Sequence, residues 1–190
     1  MEPFAVWLPV VSVLGIYLAR MAELRTKRDT VAGHVMETAT LRAFVLTGTL
    51  MLAGSITEFL VLDKRLLVST FAAGWMCALA SFVIRRKAIA ALGKFWSLHV
   101  EIRDNHEFVT AGPFRWMRHP TYFSMILEMA AAGFILQAPI TALAVSAIFF
   151  PALIVRLRIE EAALIEKFDD AYRAYQRTTP AVIPYKFPSK

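Results

Sequence analysis

Two stretches of this 190-residue chain gather side chains able to do chemistry. The first covers residues 85–122 and reads RRKAIAALGKFWSLHVEIRDNHEFVTAGPFRWMRHPTY. It closes on Arg118-His119-Pro120 and Tyr122, just ahead of a long apolar run. Proline is favoured at the first helical position, because its missing N–H needs no partner there. A helix is therefore predicted to start at Pro120, with its free N–H groups and positive dipole end able to hold an anionic group. The second stretch, 156–176, reads RLRIEEAALIEKFDDAYRAYQ. Arg156 and Glu160 are four apart and share one helical face. That spacing suits an exposed ion pair contributing about 0.2–0.5 kcal/mol. It equally suits a charge-bearing pocket, which near a membrane boundary is costlier and more often functional. Leu164, Phe168, Tyr172 and Tyr175 recur at three- and four-residue steps, which predicts an amphipathic helix.

Other chemistries find no support. His99 and His106 are seven apart with no cysteine nearby, so no metal site is expected. No Ser-His-Asp order, phosphate loop or Gly-x-Gly-x-x-Gly appears, and the eight glycines are scattered singly. A Rossmann-type nucleotide site is thereby excluded. The single cysteine, Cys77, cannot form an internal disulfide and reads as a small packing residue. Glu58 and Glu128 lie inside apolar stretches. They are either intramembrane functional carboxylates lining a cavity or solvated residues near a span end. The aromatic residues Trp96, Phe114, Trp116 and Tyr122 also fit a belt at headgroup level, with arginines snorkelling beside them.

The elements that must position these residues follow from composition. The chain is 57% hydrophobic and 19% charged, against about 45–50% and 25% for a soluble domain. This excludes a disordered chain and a disulfide scaffold. It predicts an all-α integral membrane protein of one domain, 1–190, with three N-terminal spans in 1–84 and a functional half in 85–190. Residues 3–19, 43–62 and 66–84 are each long and apolar enough, or nearly so, to cross about 30 Å of hydrocarbon. The run 121–155 would be about 52 Å long as one helix, and Gln137-Ala138-Pro139 interrupts it. A helical hairpin of two spans is predicted there, giving five spans, then a C-terminal helix. Residues 178–190 carry three prolines and read as an extended closing strap. The absence of a basic leader or cleavage pattern before Arg20 makes the first stretch a mature helix rather than a signal peptide.

Charge then sets orientation. Of the 21 Lys and Arg, only Lys64 and Arg65 lie outside the three segments 20–42, 85–120 and 156–190. Five spans put those segments on one face, which the positive-inside rule makes cytoplasmic, with the N-terminus outside. The net charge of +6 is thus a topology signal, and no nucleic-acid partner is expected. For a prokaryotic chain the location is the inner or plasma membrane.

With the residues in hand, a resemblance emerges. Leu92-Gly93 with Trp96-Ser97, then His106-Glu107-Phe108-Val109, Gly112-Pro113-Phe114 and Arg118-His119-Pro120-x-Tyr122 form its first part. Arg156-x-x-x-Glu160-Glu161, then Phe168 with Tyr172 and Tyr175, form its second. Together these resemble the isoprenylcysteine carboxyl methyltransferase family over about residues 85–184. The pairing of RHP-x-Y with R-x-x-x-E-E carries the specificity, and the first two spans carry no motif. The resemblance implies methyl transfer from S-adenosylmethionine to a lipophilic, membrane-partitioned acceptor such as a prenylated cysteine, without a Rossmann domain. It implies cofactor contacts at His106, Glu107, Phe108, Val109, Phe114, His119, Pro120, Tyr122 and Glu160, with His99 or Val100 adding one. Arg156 would be the catalytic clamp on the acceptor carboxylate. Phe114 stands where the family commonly has a tyrosine, so a hydroxyl contact is lost. Phospholipid N-methylation or another lipidic O- or S-methylation is the enzymatic alternative. A small membrane transport or scaffold protein is the non-enzymatic one.

Overall fold

The computed structural model describes residues 3–25, 34–35, 38–96, 101–102 and 108–186. Five long helices account for most of them. They are α1 (Pro3–Arg25), α2 (Ala39–Val61), α3 (Val68–Leu92), α4 (Pro120–Ile135) and α5 (Pro139–Thr178). A two-residue antiparallel pair joins β1 (His34–Val35) to β2 (Glu101–Ile102), with His34 opposite Ile102. Leu98, Val100 and Ile102 alternate with polar residues, a pattern that suits a short extended piece; the structure has one at 101–102, and 97–100 lie outside the described residues.

Helix ends follow from local chemistry. α3 stops at Gly93, whose φ of 51° is the left-handed conformation that glycine adopts without a Cβ penalty. α4 begins at Pro120, where the sequence predicts it. The two short interhelical turns share one device. Asp63 and Gln137 take left-handed φ values of 46° and 49°. The following amides then reach back: Lys64 N–H donates to the Phe59 carbonyl at 3.1 Å, and Ala138 N–H to Gly133 at 2.8 Å. Six-to-one bonds of this kind satisfy carbonyls that a helix end leaves orphaned.

Among the described residues four helices are long and apolar enough to cross a membrane: α1, α2, α3 with its following turn, and α5. α4 is apolar but has 16 residues, about 24 Å of helix. α3 lies antiparallel to α4. Near one end Gly74 abuts Ile135 and Ala131; near the other Ser81 Oγ donates to the Ser124 carbonyl at 2.8 Å. α2 and α5 are likewise antiparallel. Glu58 accepts the Thr141 amide at 2.7 Å at one end, and Thr40 meets Arg156 at the other. Buried Val10, Val13, Met51, Phe59, Ala132, Ile135, Leu136 and Val145 form the core between them.

Both carboxylates of the apolar stretches, Glu58 and Glu128, have structural partners. Glu58 caps the start of α5 and takes a hydrogen bond from Lys64 Nζ at 2.7 Å, while Lys64 also donates to the Gln137 carbonyl. Glu128 belongs to a four-residue ion network linking α1, α3 and α4. Arg85, 5% exposed, donates from Nε to Glu23 at 2.6 Å and from Nη1 to Glu128 and to Ser81 Oγ. Arg20 completes it, 3.1 Å from Glu23 and 3.8 Å from Glu128.

The expectation of one amphipathic helix over 156–176 needs correction. α5 breaks at Asp169, where φ is 41° and ψ −120°. Residues fifteen apart in a straight helix stand about 22 Å apart. Yet Gln176 Nε2 donates to Glu161 Oε2 at 3.0 Å. The last two turns therefore fold back on the helix that carries them. The apolar spacing that looked like one stripe is divided between two arms.

Candidate active site

Two chain segments lock the start of α4. The Arg118 and His119 amides donate to the Pro180 and Ala181 carbonyls, each at 2.8 Å. The Arg118 guanidinium donates to the Thr179 and Gln176 carbonyls and to Glu161 Oε1, the last at 2.7 Å. Extended residues after α5 thus close over the Arg-His-Pro turn. His119 is 3% exposed and lies flat against Tyr122, with ring centroids 5.2 Å apart. Its Nε2 is 3.1 Å from Glu161 Oε1 and its Nδ1 is 3.6 Å from Glu160 Oε2. The two adjacent carboxylates of α5 therefore flank one imidazole.

Tyr122 connects this cluster to the arginine of α5. Its hydroxyl donates to Glu160 Oε2 and accepts from Arg156 Nε at 3.1 Å. Arg156 is 5% exposed. Arg156 and Glu160 thus meet at the Tyr122 hydroxyl, as part of a polar chain through three helices. Glu160 keeps 35% of its side chain exposed, so its carboxylate still opens outward.

An aromatic wall stands beside the carboxylates. The Phe108 ring packs at 5.0 Å from Phe168, 5.6 Å from Tyr172 and 5.8 Å from Tyr175. The break at Asp169 is what lets residues of both arms face one ring. Val109 is half-buried. Phe114 is buried, and its backbone carbonyl accepts from the Tyr175 hydroxyl. Pro120 is fully buried. His99, Val100, His106 and Glu107 lie outside the described residues.

Charge is distributed unevenly here. Burial alone would raise the Glu161 carboxyl. Hydrogen bonds and charge from His119 and Arg118 outweigh it and hold the group down at about 2. Burial, assisted by Glu161 and opposed by Arg118, pushes the Tyr172 phenol far above its ordinary value. Burial likewise pushes Tyr175 up, against the opposing charge of Arg118. The site is a fixed array of one carboxylate locked in ion pairs, neutral phenols and one outward-facing carboxylate.

The structure brings Phe108, His119, Tyr122, Arg156 and Glu160 into one neighbourhood, with Phe114 and Pro120 in its framework. Sequence reasoning placed no site role on Arg118, Glu161 or Gln176, although the first two stand inside the quoted motifs. It also missed Thr40 and Phe44 of α2, which touch Arg156. A lone threonine and phenylalanine at the edge of an apolar run carry no periodic signal.

Residues 74–166 match the family model described as the isoprenylcysteine carboxyl methyltransferase (ICMT) family. YpbQ of Bacillus subtilis, an uncharacterized protein, is 30% identical over 116 residues, 58% of this chain and 66% of that protein. The protein-S-isoprenylcysteine O-methyltransferase of Dictyostelium discoideum is 28% identical over 122 residues, 62% of this chain and 52% of that enzyme. Protein-S-isoprenylcysteine O-methyltransferase B of Arabidopsis thaliana is 28% identical over 105 residues, 54% and 53% of the two chains. The chain spans between half and two thirds of the length of these curated relatives.

Proposed function

Since the chain belongs to the isoprenylcysteine carboxyl methyltransferase family through residues 74–166, we propose that it is a membrane methyltransferase. In this reading it uses S-adenosylmethionine to methylate the carboxylate of a lipophilic, isoprenylcysteine-like acceptor. The observation that carries the proposal is Arg156. Its guanidinium is buried where the apolar run of α5 ends and bonds to the Tyr122 hydroxyl, which in turn donates to the outward-facing Glu160.

The donor set suits the cofactor. S-adenosylmethionine, when bound, supplies a methyl group activated by a sulfonium. Glu160 offers a carboxylate for its ammonium, and the positive dipole end of α4 suits its carboxylate. Phe108 and its aromatic neighbours offer ring faces to adenine and to the sulfonium cation. His106, Glu107, Val109 and Phe114 complete the set that the family resemblance assigns. On the acceptor side, an ionised carboxylate needs no general base, because it is already deprotonated at neutral pH. The protein has to align acceptor and methyl group and exclude water. A planar guanidinium does this by taking a carboxylate in two parallel hydrogen bonds.

Five spans are part of the proposal, with α4 and α5 as the last two in a hairpin. The antiparallel pairing of α3 with α4 and of α2 with α5 supports it, as does the Lys and Arg distribution. The site then faces the cytoplasm and the N-terminus lies outside.

The test is a radiolabelled methyl-transfer assay with purified protein in lipid, offered prenylcysteine analogues, phosphatidylethanolamine and lipidic phenols or thiols. The expected result is label on the prenylcysteine carboxylate, lost in Arg156→Ala while S-adenosylhomocysteine still binds. Glu160→Ala should weaken that binding. Label on phosphatidylethanolamine alone, or no binding of S-adenosylhomocysteine at millimolar concentration, would overturn the proposal.

A further inference from the structure

The family match begins at residue 74, but the surroundings of Arg156 do not stop there. α2 starts at Ala39, and Thr40 and Phe44 lie one turn apart on the face it turns toward α5. Both are buried. Arg156 Nη1 donates to Thr40 Oγ1 at 3.2 Å. The Phe44 ring centroid sits 5.7 Å from the guanidinium carbon. That ring in turn packs edge-on against Tyr122 at 6.2 Å and tilted against Phe149 at 5.3 Å. Leu153 continues the same apolar layer along α5.

We infer that Thr40 and Phe44 are positioning residues for Arg156, which makes α2 the acceptor-side wall of the site. This rests on the proposed role of Arg156 as the acceptor clamp. A guanidinium on a long flexible stem tends to snorkel toward water and to lose its aim. Here Tyr122 holds one edge of the plane, Thr40 holds a second, and Phe44 lies against one face. Rotation about the stem is thereby fixed before any acceptor arrives, so less order has to be imposed on binding. Phe44 lies beside the cation, and Phe149 and Leu153 extend its apolar layer along α5. A molecule engaging both must join an anionic head to an apolar chain. This is the chemistry of an S-alkylated amino acid, and a small polar carboxylate lacks half of it.

The experiment uses the full chain in lipid nanodiscs with N-acetyl-S-farnesylcysteine as acceptor, comparing Thr40→Val, Thr40→Ser and Phe44→Leu. Readouts are acceptor KM, kcat, S-adenosylhomocysteine affinity and the rise in thermal midpoint on adding the acceptor. A hydrogen bond to a charged group is the interaction removed in Thr40→Val, so its acceptor KM should rise roughly tenfold. S-adenosylhomocysteine affinity should stay at the level of the unaltered chain, and the acceptor-induced rise in midpoint should shrink. Thr40→Ser should restore KM, and Phe44→Leu should raise it several-fold, on the order of a lost cation–π contact. An active chain whose Thr40→Val form keeps its acceptor KM overturns the inference alone. So does Thr40→Ser failing as badly as Thr40→Val, or cofactor affinity falling in step with acceptor affinity. No methyl transfer by the unaltered chain overturns the proposed function, and this inference with it.

Discussion

Arg85 offers the sharpest test of what holds the helices together. Its side chain is 5% exposed and serves Glu23 at 2.6 Å, Glu128 and Ser81. Arg85→Met keeps the length of the stem but leaves two carboxylates facing each other across α1 and α4. Breaking a buried ion pair by removing one partner costs about 3–5 kcal/mol. Two features place this case lower. The Glu23 and Glu128 side chains are 12% and 19% exposed, and Arg20 stays within 3.1 and 3.8 Å of them. The expected loss is about 2–3 kcal/mol. For a chain of this size each kcal/mol moves the midpoint by about 2–4 °C, so a fall of about 4–12 °C is expected. The assay is tryptophan fluorescence on heating in detergent, with exposed Arg86→Met as the control, expected within about 0.5 kcal/mol of the unaltered protein. Adding Glu128→Gln to Arg85→Met should cost less than the sum of the single changes, since the two act within one network. An Arg85→Met midpoint equal to that of the control would refute the reasoning, and so would strict additivity with Glu128→Gln.

Further expectations concern the site and the packing around it. Glu161 ionises at about 2 in the folded chain against an ordinary 4.5. Its contribution to stability is therefore complete above 4.5 and is lost as pH falls toward 2. The midpoint of the unaltered protein should drop more steeply than that of Glu161→Gln across that window, and parallel slopes would contradict the ion-pair account. Gly74→Ala should destabilise by about 1–3 kcal/mol, because the new Cβ would lie 2.5 Å from Ile135 Cγ1 and 2.9 Å from the Ala131 carbonyl oxygen. Thermal unfolding checks this, and a neutral result would mean that α3 and α4 can part freely. Truncation after Thr178 removes the carbonyls that receive the Arg118 and His119 amides. S-adenosylhomocysteine affinity, measured by calorimetry, should fall at least roughly tenfold, the loss of two or more net hydrogen bonds.

The sequence was most legible where local rules act alone. Pro120 opens α4 because an N1 proline satisfies a local need, and Gln137-Ala138 turns the chain because a helix closes there. The apolar runs foretold the long helices, since hydropathy is additive along the chain. Arg156, Glu160, His119 and Tyr122 could be singled out through motifs that resemble those of a known family. What spacing could not give was their connection, because the Tyr122 hydroxyl joins Arg156 to Glu160 through tertiary packing. The break at Asp169 was hidden for a related reason. Leu164, Phe168, Tyr172 and Tyr175 keep a helical rhythm across it, and a left-handed aspartate leaves that rhythm intact. Glu58 and Glu128 looked like candidates for function because an unpaired carboxylate in lipid is costly. Lys64 stands six residues past Glu58, off the three- and four-residue helical spacing, and Arg85 lies 43 residues from Glu128, so no pattern links either to its carboxylate.

The closure of residues 179–181 over the Arg-His-Pro turn also has a consequence for biosynthesis. Arg118 and His119 leave the ribosome some sixty residues before the carbonyls that receive their amides. Throughout that interval α1 to α4 can enter the bilayer and pack, yet the start of α4 stays unsatisfied. The cluster around the Arg-His-Pro turn is therefore completed last, after all five long helices have been made. Helix packing and closure of this turn are separated in time, so a chain stalled short of residue 181 would hold its long helices with the turn still open.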